Sequence, residues 1–132
     1  MIVNYLVSGL LAIMIFYSFG IAINVHRTLD KKNAGKLLRK LFPIYFLWGI
    51  FISIVAEIIY LLQEQQIQAF MMAVIVIGYL YSRQILVPKL NKNRDLANEG
   101  DKKSKKIFNS LHFQSVAINL VQMLLLALIL FI

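Results

Sequence analysis

The apolar residues of this chain fall into four long runs, Ile2–Val25, Leu41–Leu62, Ile67–Val87 and Phe113–Ile132, separated by polar connections. None of the runs alternates in polarity as the strands of a membrane barrel do. At about 1.5 Å per helical residue, each is long enough to cross a hydrocarbon core of about 30 Å. Within lipid only helices or closed barrels satisfy their own backbone groups. The pattern therefore predicts one transmembrane domain over residues 1–132, with helices at about 2–25, 34–62, 67–88 and 102–132. The connection Gln63–Gln66 is so short that the second and third helices form an antiparallel hairpin. The first run lacks a basic leading region, exceeds the length of a signal core and is followed by no small-x-small cleavage site, so it reads as a retained helix.

Charge then orients the bundle. All 14 Lys and Arg residues cluster around the first and third connections, and Gln63–Gln66 holds none. Lys and Arg are retained in cytoplasmic loops, so the expected fold is an all-α, antiparallel four-helix membrane bundle with N-terminus and C-terminus both on the outer side. A bacterial inner membrane is the expected location. The net charge of +8 would suggest nucleic acid in a soluble protein, but no aromatic-interleaved basic motif accompanies it. Anionic lipid headgroups at the cytoplasmic face are the expected partner instead. A membrane-protein partner or a second copy of the chain is a further one. The chain has no cysteine, which removes disulfides, zinc thiolates and iron–sulfur ligation.

Helix ends follow from local chemistry. Asn33 reads as the cap of the second helix, and Ala34–Lys40 as a basic amphipathic lead into it. Pro43 lies just inside the lipid boundary and is expected to bend that helix. The third helix is expected to stop near Pro88, with Arg83 snorkelling to inner headgroups and Asn91–Gly100 forming an exposed loop. Asp101 suits the cap of a fourth helix about 30 residues long, whose first turns protrude into the cytoplasm. Lys102, Lys103, Lys105 and Lys106 there oppose the helix dipole, which anionic headgroups or an acidic partner would offset.

Candidate chemistry lies on polar stripes within the apolar runs. Asn109, His112, Ser115, Asn119 and Gln122 share one face of the fourth helix, within an arc of about 140°. Asn119 and Gln122 lie deep enough to seek hydrogen bonds from neighbouring helices. On the first helix Asn4, Ser8, Ser18, Ala22 and His26 fall within about 80°. Both histidines therefore sit at cytoplasmic helix ends. If the two helices are neighbours, His26 and His112 form a candidate pair of axial ligands for haem b. The competing reading is two interfacial histidines hydrogen-bonding phosphate or carbonyl groups.

Glu57 is the one ionisable group well inside an apolar run, on the same face of the second helix as Gly49 and Ser53. It reads either as an outward-opening proton or cation site or as a protonated or snorkelling side chain, with no Lys or Arg at its depth to pair with. Met14, Met71 and Met72 cluster with no histidine, so no metal site is assigned. No Gly-x-Ser-x-Gly, phosphate-binding loop or His-Glu-x-x-His pattern occurs, and Ser115 lacks the exposed elbow that acyl transfer needs, so no catalytic residue is assigned.

Two segments resemble a known family. Ala34-Gly35-Lys36-Leu37-Leu38-Arg39-Lys40-Leu41-Phe42-Pro43-Ile44-Tyr45 resembles the entry to the second helix of the transmembrane protein 205-like family. Leu111-His112-Phe113-Gln114-Ser115, with Asn119, resembles the start of that family's last helix. The resemblance implies a small four-helix membrane protein without an established activity. The family is also distantly similar to copper-resistance D-type membrane proteins, which implies metal or haem handling as one reading. Three functions follow as expectations. The leading one is a structural, assembly or interaction component of the membrane. The others are a haem b-binding or electron-transfer subunit using His112 and His26, and a small transporter or metal-handling protein using Asn119, Gln122 and Glu57.

Overall fold

A computed structural model describes residues 2–132, and these are 93% helical with no strand among them. Four helices are long and apolar enough to cross a membrane: α1 (Ile2–Thr28), α2 (Lys31–Leu62), α3 (Gln66–Asn98) and α4 (Lys102–Phe131). They pack in a ring, α1 against α2, α2 against α3, α3 against α4 and α4 against α1, with successive helices antiparallel. The first and third connections therefore lie at one end of the bundle, which carries the whole basic charge.

Each helix turns one stripe inward. On α1 it is Val3, Val7, Leu10, Met14 and Tyr17, spaced alternately four and three residues apart. These meet Tyr45, Phe46, Ala56 and Tyr60 of α2, Met72, Ile75 and Tyr79 of α3, and Leu126 and Ile129 of α4. The opposite faces are equally apolar: Trp48, Phe51, Phe70, Phe113 and Leu124 are all more than half exposed. A soluble monomer rarely shows so much contiguous apolar surface, and a bilayer is the solvent that suits it. Close approach of α2 and α3 depends on Gly49, where a Cβ would collide with the ring of the fully buried Tyr79.

The third helix does not stop at Pro88 but runs on to Asn98, so the segment expected as a loop over Asn91–Gly100 is mostly helix. Proline removes one backbone donor and its ring presses on the carbonyl four residues earlier. Here the turn before it, Ser82–Leu86, widens to a π-helix, and the chain passes Pro88 without breaking. The end is a Schellman cap: Gly100 adopts φ 98°, its N–H bonds to the Ala97 carbonyl and that of Asp101 to the Leu96 carbonyl. Glu64 plays the same part after α2 with φ 57°, an unfavourable position for a residue with a Cβ.

The N-termini of α2 and α4 are capped by aspartates. Asp101 accepts from the backbone N–H groups of Lys103 and Ser104 and from the Ser104 hydroxyl, as its position before α4 suggests. At α2 the cap is Asp30 and not Asn33; Asn33 sits three residues into the motif and donates both its backbone and its side-chain N–H to the Asp30 carboxylate. Arg83 reaches across to α2, its Nε donating to the Pro43 carbonyl at 3.3 Å.

Candidate functional site

At the basic end the four helices part around a cavity of about 710 Å³. Its origin is a second π segment, Phe16–Ala22 in α1. Within it the Gly20 carbonyl accepts from the Asn24 side chain at 2.6 Å. Above the segment, Ile2–Ile15 packs along α4; below it, Ile23–Thr28 leans on α2. The space so opened between α1 and α4 is the cavity and its mouth.

The inner wall is aromatic. Tyr17 stacks on Tyr45 with ring centroids 4.1 Å apart and 13° between planes, and Phe42 meets the Tyr17 ring edge-on at 5.4 Å. Above this wall Asn119 ties three helices, accepting from the Tyr45 hydroxyl at 3.0 Å and donating to the Ser18 hydroxyl at 2.9 Å. The rim toward the basic end is polar and carries His26 from α1, Arg39 from α2, Asn91 and Arg94 from α3, and His112 and Ser115 from α4. Arg39 is held by Asp95 at 2.6 Å. Arg94 lies over the Phe108 ring, its guanidinium carbon 5.3 Å from the centroid, and His112 stacks along the same ring. Among the described residues no protein group hydrogen-bonds the Arg94 guanidinium or either imidazole. The Tyr17 hydroxyl is buried without a partner.

The residues singled out in the sequence divide between three places. His26, His112, Ser115 and Asn119 come together at this cavity, because α1 and α4 are neighbours. Asn109 lines a smaller adjoining space of about 340 Å³, which His26 also borders. Gln122 is buried away from both, donating to the Ile75 carbonyl of α3 at 2.9 Å, so it pins α4 to α3. Glu57 borders neither cavity and has no ion-pair partner among the described residues. The polar face drawn on the first helix holds together only in part. Ser18, Ala22 and His26 line the cavity, whereas Ser8 and Asn4 lie on the bundle surface, where Asn4 accepts from the Tyr60 hydroxyl at 3.4 Å. A wheel drawn at 100° per residue ignores the π segment between the two halves.

Arg94 and Tyr17 are among the site residues that the sequence alone left unmarked. Arg94 lay in a supposed loop; its signal was the spacing of Leu90, Asn91 and Arg94, three and four residues apart on one helical face. Tyr17 carried no signal, being one aromatic residue in an apolar run.

Among proteins of known sequence family, a model described as Domain of unknown function (DUF4149) matches residues 5–99, which hold nearly all of α1, α2 and α3. The segment from Leu111 to Asn119 lies beyond the match. No curated protein and no solved structure matches the chain. With well over half its length covered, the chain belongs to the DUF4149 family.

Proposed function

We propose that this is a binding protein of a bacterial inner membrane whose working part is the cavity at its basic end. The observation that carries the reading is convergence: His26, Arg94 and His112, from three different helices, face one space backed by an aromatic wall. Concave, mostly apolar sites with a few convergent polar groups are the usual form of a small-molecule site. The polar residues deeper in the bundle support binding and not transport, since Asn119 and Gln122 spend their hydrogen bonds on neighbouring helices. The clustering of Lys and Arg supports a cavity at the cytoplasmic face with both termini outside. The resemblance of Ala34–Tyr45 to the transmembrane protein 205-like family supports the same small-bundle assignment.

Non-denaturing intact-mass measurement of protein purified in mild detergent tests this. The expected result is one retained small molecule per chain, lost in Ala22→Phe, which fills the cavity from the α1 wall. Protein without any retained molecule, or retention unchanged in Ala22→Phe, overturns it.

A second reading has its own observation: both histidines border one cavity of a size suited to a cofactor, with their ring nitrogens unengaged by protein among the described residues. Two imidazoles from neighbouring helices are the ligand type that haem b takes. Protein from haem-replete cells should then show a Soret band that disappears in His26→Ala and in His112→Ala. A colourless preparation sinks this reading and leaves the binding proposal standing.

A further inference from the structure

The rim of the cavity is unusually one-sided in charge. The charged side chains on its walls are Arg39 and Arg94, beside the imidazoles of His26 and His112, with no carboxylate among them. Asp95 is engaged by Arg39 at 2.6 Å, and Arg94, which borders both cavities, makes no ion pair of its own among the described residues. Lys31 and Lys105 border the adjoining smaller cavity and add to the same positive field. An arginine in this setting is a strong recognition element for a phosphate or carboxylate oxygen, which it meets with a planar fork of N–H donors. The imidazoles of His26 and His112 border the same rim and supply further donors.

The rest of the cavity asks for hydrocarbon. Behind the rim stand Phe42, Phe46 and Met123. The mouth is lateral: the lining residues that remain exposed on α1 and α4 include Phe19, Ile23, Val116 and Leu120, at apolar positions that a bilayer would cover. A water-soluble anion would find a cation at the rim but no use for the apolar interior. A neutral lipid would find the interior but no use for Arg94. A molecule with one anionic phosphate and an apolar chain satisfies both halves.

We propose that the cavity takes a phosphate-bearing lipid from the cytoplasmic leaflet, entering sideways between α1 and α4, with its phosphate at Arg94 and its chain against the Tyr17–Phe42 wall. This rests on the binding reading above and names its ligand class. Other basic residues on this end also attract anionic lipid, but from the surface, where neighbours exchange freely. The cavity differs in holding one molecule with its headgroup out of water.

The test uses the full chain in a nonionic detergent, titrated with dioleoyl phosphatidic acid or with dioleoyl phosphatidylcholine and read by non-denaturing mass measurement. The expected result is a single phosphatidic acid adduct, favoured over phosphatidylcholine by at least about tenfold. Arg94→Gln should weaken that adduct by about tenfold, Arg94→Lys should restore part of it, and Lys103→Gln, an exposed lysine outside the cavity, should leave it unchanged. An equal loss in Lys103→Gln and Arg94→Gln makes the contact a surface one and overturns the proposal. Displacement by inorganic phosphate with no preference between the lipids reassigns the rim to a free anion and also overturns it. If both lipids are retained alike and both are lost in Ala22→Phe, the ligand class fails while the binding reading stands. Retention in Ala22→Phe sinks both.

Discussion

Asn119 donates a hydrogen bond from its side-chain amide to the Ser18 hydroxyl at 2.9 Å, joining α4 to the π segment of α1 across most of the sequence. The same side chain accepts from Tyr45 of α2, so one residue holds the roof of the cavity together. Interhelical hydrogen bonds of this kind contribute about 0.6 kcal/mol on average and up to roughly 1.7. Asn119→Leu removes two of them and should cost about 1–3 kcal/mol, read as a lower midpoint of unfolding in mixed detergent. Ser18→Ala removes one of the two bonds and should cost less than Asn119→Leu.

Packing between α2 and α3 makes a sharper prediction. Gly49→Ala places a methyl group where the Tyr79 ring already lies, and that ring is held by Tyr45 and Phe46 at centroid distances of 6.3 and 6.2 Å. Overpacking of this kind costs typically 1–3 kcal/mol. Gly9→Ala, with nothing within 4 Å of the new atom, is the matched control and should be neutral or slightly stabilising.

The two Schellman caps predict opposite signs. Glu64 occupies the left-handed region that glycine adopts freely, so Glu64→Gly should stabilise by about 1 kcal/mol. Gly100 occupies it already, and Gly100→Ala should destabilise by about 1–2 kcal/mol. Thermal midpoints of the two variants measured side by side check both signs.

Acid should loosen the basic end first. The Ser104 hydroxyl, and after it the backbone N–H groups of Ser104 and Lys103, hold the Asp101 carboxyl below the usual carboxylate range. Asn33 does the same for Asp30, chiefly through its side-chain amide. A carboxyl whose folded value is depressed contributes in full above its unfolded value of about 3.9, and the contribution is lost as pH falls through the lower folded value. Stability against pH should therefore drop on the acid side below about pH 4. Asp101→Asn should flatten that limb and lower the plateau at neutral pH, as a stability profile between acid and neutral pH would record.

The architecture was legible because membrane helices are written in composition: four apolar runs and one short polar turn were enough for four antiparallel helices. The inward role of Asn119 and Gln122 followed from depth, since an amide in lipid has to find a partner. What stayed hidden traces to the two π segments. The one before Pro88 let α3 run on to Asn98, which turned Arg94 from a loop charge into a wall residue. The one at Phe16–Ala22 parted α1 from α4 below Ser18 and made the cavity. A π turn has no composition of its own, so a helical wheel passes over it. The Gly100-Asp101 pair was the available clue to the longer α3, as a Schellman glycine followed by a helix cap.

The basic end of the bundle is open between α1 and α4. The chain has no cysteine, so introduced thiols report without background. The most direct measurement is the rate at which a small maleimide modifies Ser115→Cys in native membranes, compared with Leu126→Cys in the closed core. Fast modification of Ser115→Cys, slowed by adding Ala22→Phe, with Leu126→Cys unreactive, is the predicted result. A Ser115→Cys thiol as unreactive as that of Leu126→Cys, or indifferent to Ala22→Phe, would contradict it.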